Sequence, residues 1–332
     1  MRISVVVPTF RRPTNLLRCL EALKRQQLPP DEVLVAVRDD DPATWAALVA
    51  WEGGKLPLRL VCADLLGASE ARNRCLDRAV GDLLVMTDDD TIPRPEWLGR
   101  IHDRFAADPA LGGLGGPDWI GGRETAPETR ATVVGRVQWW GRRLGNHHRG
   151  SREALTVEWL KGANMSFRRE ALRSVRFGRL LRGAAAQFGE DFAVSLEVAS
   201  ARWKLVYDPA VAVDHFPGVL PGGSDHRGLT DPVSLEDASH NETVVLLGYL
   251  PPRRRVVFLL WALAVGTRLL PGALVAGYLL ITQRRTNSLG RCRIVWRGRL
   301  AGWRTWRKAR AAAWPVGQSR PVPDAGAPAA TS

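Results

Sequence analysis

An α/β fold, a mostly parallel sheet with helices on both of its faces, is what this sequence of 332 residues predicts. Three observations carry that expectation. Short apolar runs alternate with helix-period segments over the first 120 residues, the pattern of parallel strands joined by helices. Two of those runs lead into three consecutive aspartates, Asp39-Asp40-Asp41 and Asp88-Asp89-Asp90. Both triplets therefore fall on the carboxyl edge of the sheet, where such folds bind ligands. Apolar residues make up 45% of the chain, ample material for a core.

The elements follow in order. Ile3–Val7 is a strand, and Thr14 is placed to cap a helix through Leu16, Leu17, Leu20 and Leu23. Val33–Val37 is the next strand, with a short helix at Thr44–Ala50 behind Pro42. Leu58–Val61 is a third strand, Ser69–Ala79 a helix capped by Ser69, and Leu83–Met86 a fourth strand. Residues 112–160 are Gly-rich and irregular, and Gly112-Gly113-Leu114-Gly115-Gly116 reads as turns, since no dinucleotide or P-loop spacing is met. Trp119, Trp139, Trp140 and Trp159 in this stretch suit either a stacking surface for a ligand or a tryptophan-rich core. Next come Gly162–Phe167, a short helix near Arg169–Ser174, a helix from Gly189-Glu190-Asp191, a strand Trp203–Tyr207 and the stretch Val211–Phe216.

Charge is unevenly spread. Residues 251–332 hold 15 Lys and Arg against one acid, Asp324, while the first 250 hold 32 basic and 33 acidic residues. The excess belongs to the tail, which therefore expects an acidic partner. Residues 256–281 are apolar apart from Arg268, and as one helix would measure about 39 Å. Arginines flank both ends: Arg253–Arg255 before, and Arg284, Arg285, Arg291 and Arg293 after. A single span would strand one basic cluster on the wrong side, so a hairpin broken near Arg268–Gly272 is expected. Residues 291–310 interleave arginines with Ile294, Val295, Trp296, Leu300, Trp303 and Trp306, which suits a helix on anionic lipid. Nucleic acid would also attract Arg with Trp, but the apolar neighbour favours a membrane surface through residues 251–310, with no nucleic acid expected. Residues 316–332 read as a disordered tail. No signal peptide is evident, and Cys19, Cys62, Cys75 and Cys292 form no paired spacing, as in a reducing cytosol.

Acids packed at the end of a buried strand repel one another unless a cation neutralises them. Asp88-Asp89-Asp90 thus reads as a Mg²⁺ or Mn²⁺ site completed by phosphate oxygens, or else as a solvated acidic turn. The surrounding motifs bear on that choice. Val5-Val6-Val7-Pro8-Thr9-Phe10-Arg11-Arg12-Pro13, the block Gly67–Asp90 (GASEARNRCLDRAVGDLLVMTDDD), the segment Gly162-Ala163-Asn164-Met165-Ser166-Phe167-Arg168 and Gly189-Glu190-Asp191 resemble, in order, the motifs of the family 2 glycosyltransferases. The resemblance spans residues 1–216 and implies a GT-A fold and an inverting transfer from a nucleotide-diphosphate sugar donor.

Site roles follow from that resemblance. Asp88 and Asp90, with His215 as a further ligand, would hold Mn²⁺ or Mg²⁺ against the donor diphosphate. Pro8, Thr9, Asp39 or Asp40, Arg72 and Asp88 would bind the nucleotide, although Arg72 equally suits a salt bridge to Glu70 or Asp77 on its own helix. Asp191 would be the catalytic base, with Gly162, Asn164 and Glu190 on the acceptor side. Residues 1–250 would form the catalytic domain and 251–315 a membrane-associated helical region, peripheral or monotopic at the cytoplasmic face of the cell membrane. The acceptor would be a membrane-proximal glycan or lipid-linked hydroxyl. A polyprenyl-phosphate acceptor and a non-catalytic membrane scaffold are the alternatives.

Overall fold

Thirteen strands and nine α-helices are formed by the residues that the computed structural model describes: 1–63, 67–183, 187–218, 229, 231–283 and 287–312. The chain opens β1 (Ile3–Pro8), α1 (Pro13–Lys24), β2 (Glu32–Val37), α2 (Pro42–Ala50), β3 (Leu58–Cys62), α3 (Ala68–Arg78) and β4 (Leu83–Thr87). It continues through β5 (Thr91–Pro93), α4 (Trp97–Ala107), β6 (Leu111–Gly115), β7 (Asp118–Ile120), β8 (Arg136–Val137), β9 (Arg143–Leu144), β10 (Leu155–Thr156) and β11 (Asn164–Arg168). Last come α5 (Glu190–Ser200), β12 (Lys204–Tyr207), β13 (Val213–His215), α6 (Pro232–Tyr249), α7 (Pro252–Ala264), α8 (Ala273–Gln283) and α9 (Ser288–Ala311).

Eight strands make one sheet in the order β10-β12-β6-β11-β4-β1-β2-β3. β4, β1, β2 and β3 run parallel, while β11 is antiparallel to both β4 and β6. Period-2 alternation divides the core. Val5, Val7, Val33 and Val35 face α1, α2 and α4, whereas Val6, Leu34 and Ala36 face α3 and α5. The expected helices on both faces are thereby observed. A second sheet, β5-β13-β7, sits beyond the end of β4 and carries β13 to the aspartate turn.

Several local expectations are corrected. α1 starts at Pro13, whose fixed φ suits a first helical position, and Thr14 lies inside the helix rather than capping it. Gly67, not Ser69, precedes α3 in the cap position, and Ser69 lies in the first turn. Gly112–Gly115 lie in strand β6, between β11 and β12, not in turns. A Cβ at Gly113 would stand 2.6 Å from Leu205 Cδ2, so the missing side chains make room for β12. Of the tryptophans, Trp119 is core, Trp159 packs edge-on to His147 and Phe192, and Trp139 stays 60% exposed.

The C-terminal helices join the body. α7 and α8 form the expected hairpin, with the turn closed by pairing of Gly266 with Pro271. Among the described residues no helix is long and apolar enough to cross a membrane. Val256, Leu260 and Leu263 on α7, and Leu274, Tyr278 and Ile281 on α8, form exposed apolar stripes at i, i+4, i+7 spacing. α9 does not present all its apolar residues outward: Val295 is fully buried, and Trp303 and Trp306 pack into the cluster around Phe258. Its inner face lies on α6, where Gly298 and Gly302 permit close approach and Arg299 pairs with Glu242 at 3.1 Å. Residues 316–332, Arg284 and Arg285 lie outside the described residues. A Cβ at Gly302 would stand 2.6 Å from the His240 carbonyl oxygen, so Gly302→Val is expected to cost about 2–3 kcal/mol, measured as a lower urea midpoint.

Candidate metal and acid–base site

The carboxyl edge gathers the acids, as the parallel strands require. Asp88–Asp90 form the turn from β4 to β5, held by Thr91, whose N–H and hydroxyl both donate to the Asp88 carbonyl. The three aspartates then diverge. Asp89 is buried, accepting from Thr9 Oγ1 at 2.8 Å and facing Arg12 Nη1 at 3.3 Å. Burial pushes its carboxyl up to about 7, Asp90 and Asp88 add repulsion, and Arg12 and Thr9 oppose them. Asp89 is thus an anchor for the loop after β1, and Thr9 acts through it. Pro8 is the buried last residue of β1.

Asp88, Asp90 and His215 each offer a ligand atom, all within 4.8 Å of one another. Asp90 splits its oxygens: Oδ2 meets Arg12 at 3.0 Å, and Oδ1 faces His215 Nε2 at 3.3 Å. Two carboxylates and an imidazole this close together are a donor set that fits a divalent Mn²⁺ or Mg²⁺ ion. His215 Nδ1 lies 3.0 Å from Asp118 Oδ2, and that carboxylate also takes Lys161. A proton on Nδ1 leaves the Nε2 lone pair for a metal. Burial alone would lower the His215 pKa, but Asp118 and Asp90 outweigh it and raise it to about 9.

Arg72 pairs with neither Glu70 nor Asp77, which bind Arg74 and Arg176 instead. It is 3% exposed and bridges Asp88 Oδ1, at 2.7 Å, to Glu190, which also accepts from Ser69 Oγ. The guanidinium sits over the Phe177 ring at 5.8 Å. Ser69 thus spends its hydroxyl on Glu190 rather than on a helix cap. Asp191, one residue on in α5, accepts from the Gly162 N–H at 3.1 Å and from the Phe192 N–H at 2.7 Å. The β11–β4 register, with Asn164 opposite Thr87, is what brings Gly162 beside the turn.

Other predicted positions lie apart. Asn164 is 1% exposed; it donates to the Pro117 and Val211 carbonyls and accepts from Trp97 Nε1, so it braces the core and does not face the acceptor side. Asp39 lies in the turn after β2 and accepts from Cys62 Sγ, while exposed Asp40 is held by both Arg38 Nε and Nη2. Asp41, which the sequence left without a role, caps α2 through Thr44. Arg12 and Asp118 escaped sequence reasoning. Arg12 stands in the quoted Phe10-Arg11-Arg12-Pro13 run, but nothing in sequence places it 3.0 Å from Asp90.

The sequence model described as "Glycosyl transferase family 2" matches residues 4–176. A Haloferax volcanii protein described as "Glucosyl-dolichyl phosphate glucuronosyltransferase" is 28% identical over 182 residues, 53% of this chain and 55% of that protein. Glycosyltransferase AglE of the same organism is 28% identical over 101 residues, 30% of this chain and 33% of AglE. The chain therefore spans about half or less of the length of these curated relatives. Among solved structures, the mannosyltransferase PcManGT from Pyrobaculum calidifontis, in complex with GDP-Man and Mn²⁺, superposes with a TM-score of 0.51 at 19% identity, covering 93% of this chain and 87% of that one. S. aureus TarS 1-349 in complex with UDP-GlcNAc gives 0.59 at 15% identity, covering 94% and 92%. At such identities the likeness is one of fold, and the fold is GT-A.

The His215 contacts set a pH dependence. Its folded pKa, about 9, lies above the ordinary 6.5, so their stabilisation is complete below about pH 6.5 and is lost as pH rises to about 9. Metal-free wild type should lose melting temperature across that interval, and His215→Asn should flatten that component; equal slopes in both would refute the assignment.

Proposed function

Because the chain belongs to glycosyl transferase family 2, we propose that it is an inverting, divalent-metal-dependent glycosyltransferase that moves a sugar from a nucleoside diphosphate donor to a hydroxyl of a lipid-linked acceptor. The observation that carries this reading is the Asp88–Arg72–Glu190 bridge. It ties a carboxylate of the metal cluster to the first turn of α5, where the next residue is Asp191. The groups that would meet a donor diphosphate and the group that would meet an acceptor hydroxyl therefore share one buried arginine.

Asp88, Asp90 and His215 would hold Mn²⁺ or Mg²⁺, which when bound offsets charge growing on the departing diphosphate. Asp39 and Asp40, in the turn after β2, would meet the base and ribose. Thr9 positions the loop after β1 through Asp89, and Arg72 would meet the phosphates. Asp191 takes the proton from the acceptor hydroxyl as its oxygen bonds to the anomeric carbon. The bond from that carbon to the diphosphate oxygen breaks and its electron pair leaves with the diphosphate, so the configuration inverts. The Gly162 N–H on Oδ2 and the Phe192 N–H on Oδ1 hold the Asp191 carboxylate in place for this transfer.

The membrane part of the reading is supported by the outward apolar stripes of α7 and α8 beside Arg253, Arg268 and Arg293, all exposed. Residues 1–250 would do the chemistry and 251–315 would seat it, peripherally or monotopically, on the anionic cytoplasmic face. The Haloferax relative's name, with its dolichyl phosphate, supports a lipid-linked acceptor.

A thermal-shift panel of UDP, GDP and dTDP with and without Mn²⁺ tests the donor side. One diphosphate should stabilise the protein in the presence of Mn²⁺, and Asp90→Asn should abolish that shift. Asp191→Asn should keep the shift but lower kcat about 10²–10⁴-fold, the usual worth of a general base. A flat panel on folded protein sinks the donor reading, and undiminished turnover in Asp191→Asn sinks the base.

A further inference from the structure

Arg143 is a charged side chain against the first turn of α5 that the proposed chemistry leaves unused. It stands on β9, its guanidinium 4.9 Å over the Phe192 ring and its Nε 3.3 Å from Glu242 Oε1. Among the described residues its two Nη groups donate no hydrogen bond. One of them points at Gly189, two residues before Asp191: a Cβ there would stand 3.4 Å from Nη1, and Gly189 adopts φ +83°. Glu242 does not balance this charge, because its other oxygen belongs to Arg299, which is 2% exposed. Two arginines share one carboxylate, leaving one positive charge in excess where protein screens it little from whatever enters.

The same hairpin leads toward the apolar stripes. Arg254, in the first turn of α7, donates to the carbonyls of Val137, Gln138 and Trp139, and Gly141 lies against Phe258. The loop tip exposes Trp139 on the side of α7, a residue suited to a membrane interface. The tip of the β8–β9 hairpin thus reaches the surface read above as membrane-facing, and its Arg143 reaches Gly189 and Phe192, between which the proposed base stands in the chain.

Resting on the proposed lipid-linked acceptor, we infer that Arg143 receives the acceptor's lipid-borne phosphate while a hydroxyl of the attached sugar reaches Asp191. A guanidinium fork with free Nη donors matches phosphate oxygens, and the partial neutralisation by Glu242 keeps the arginine in place before the acceptor arrives. Arg143 is a binding and positioning residue; it takes no part in bond making.

The test is co-sedimentation of the full chain with phosphatidylcholine vesicles doped either with polyprenyl phosphate or with phosphatidylglycerol at equal charge. Wild type should bind the polyprenyl phosphate vesicles roughly tenfold more tightly, the scale of a charge-assisted phosphate contact. Arg143→Gln should erase that preference and leave phosphatidylglycerol binding unchanged. Arg143→Lys keeps the charge opposite Glu242 but not the fork; it should retain the melting temperature and lose part of the preference, which keeps the test valid if Arg143→Gln folds poorly. Full preference in both variants, or none in wild type, overturns the inference, as does release of wild type from the vesicles by inorganic phosphate alone. The nucleoside diphosphate shift with Mn²⁺, measured on the same samples, separates the two readings: its absence in wild type sinks the transferase proposal, and its survival without lipid preference sinks Arg143 only.

Discussion

Six acids converge on one edge of this sheet, and the rest of the architecture answers their mutual repulsion. Asp88, Asp89, Asp90, Asp118, Glu190 and Asp191 are brought together by parallel strands ending in register, by β11 lying against β4, and by the small second sheet. Their countercharges come from four separate places: Arg12 after β1, Arg72 on α3, Lys161 before β11 and His215 on β13. Each is buried or half-buried, so each contact matters more than a surface pair, and two of the acids are doubly covered: Asp90 by Arg12 and His215, Asp118 by Lys161 and His215. The cost of burying so much like charge is met cooperatively. Arg12 and Thr9 hold the middle aspartate inside, while its neighbours meet other partners, Asp90 His215 and Asp88 Arg72.

Much of this was legible in the sequence, and the limits are physical. The alternation of strand and helix gave the layer order, because period-2 and period-3.6 patterns record which face is buried. The acidic turn and Asp191 stood in the quoted motifs, and His215 came only with the family resemblance. Partner choice was harder to see. Arg72 stands two residues from Glu70 and five from Asp77, neither of them the three or four of a helical pair, and Glu70 goes to Arg74 instead; only the return of α5 to the carboxyl edge supplies Glu190. Asn164 sat in the right motif, but its side chain points into the core because of where β11 meets Pro117 and Val211, a contact some 47 residues distant in both cases. The Gly112–Gly116 run misled for a related reason: glycine marks turns and also strands crossed closely by large neighbours, and Trp203 and Leu205 decide between the two from far along the chain.

The basic tail holds a second lesson about composition. Its arginines imply an acidic partner, and part of that partner is the protein itself. Glu242 takes Arg299 within the core, and Glu236 takes Arg297 at the surface. What remains for an external anion is the outward side of α9 and the arginines flanking α7 and α8. An amphipathic helix can spend one face on its own fold and the other elsewhere, and a net charge summed along the sequence does not divide the two.

The Arg299–Glu242 pair also orders events in time. On the ribosome α6 emerges with Glu242 well before the chain reaches α9, so for that interval Glu242 has no cation but Arg143, and the side of α6 that α9 covers lies open although α5 already packs on the other. The body that carries the acids is thus made first and sealed late, from the far end of the chain. A nascent chain paused before residue 299 presents an open apolar groove along α6, a natural target for a chaperone, and the finished protein cannot be cut at residue 250 without reopening it.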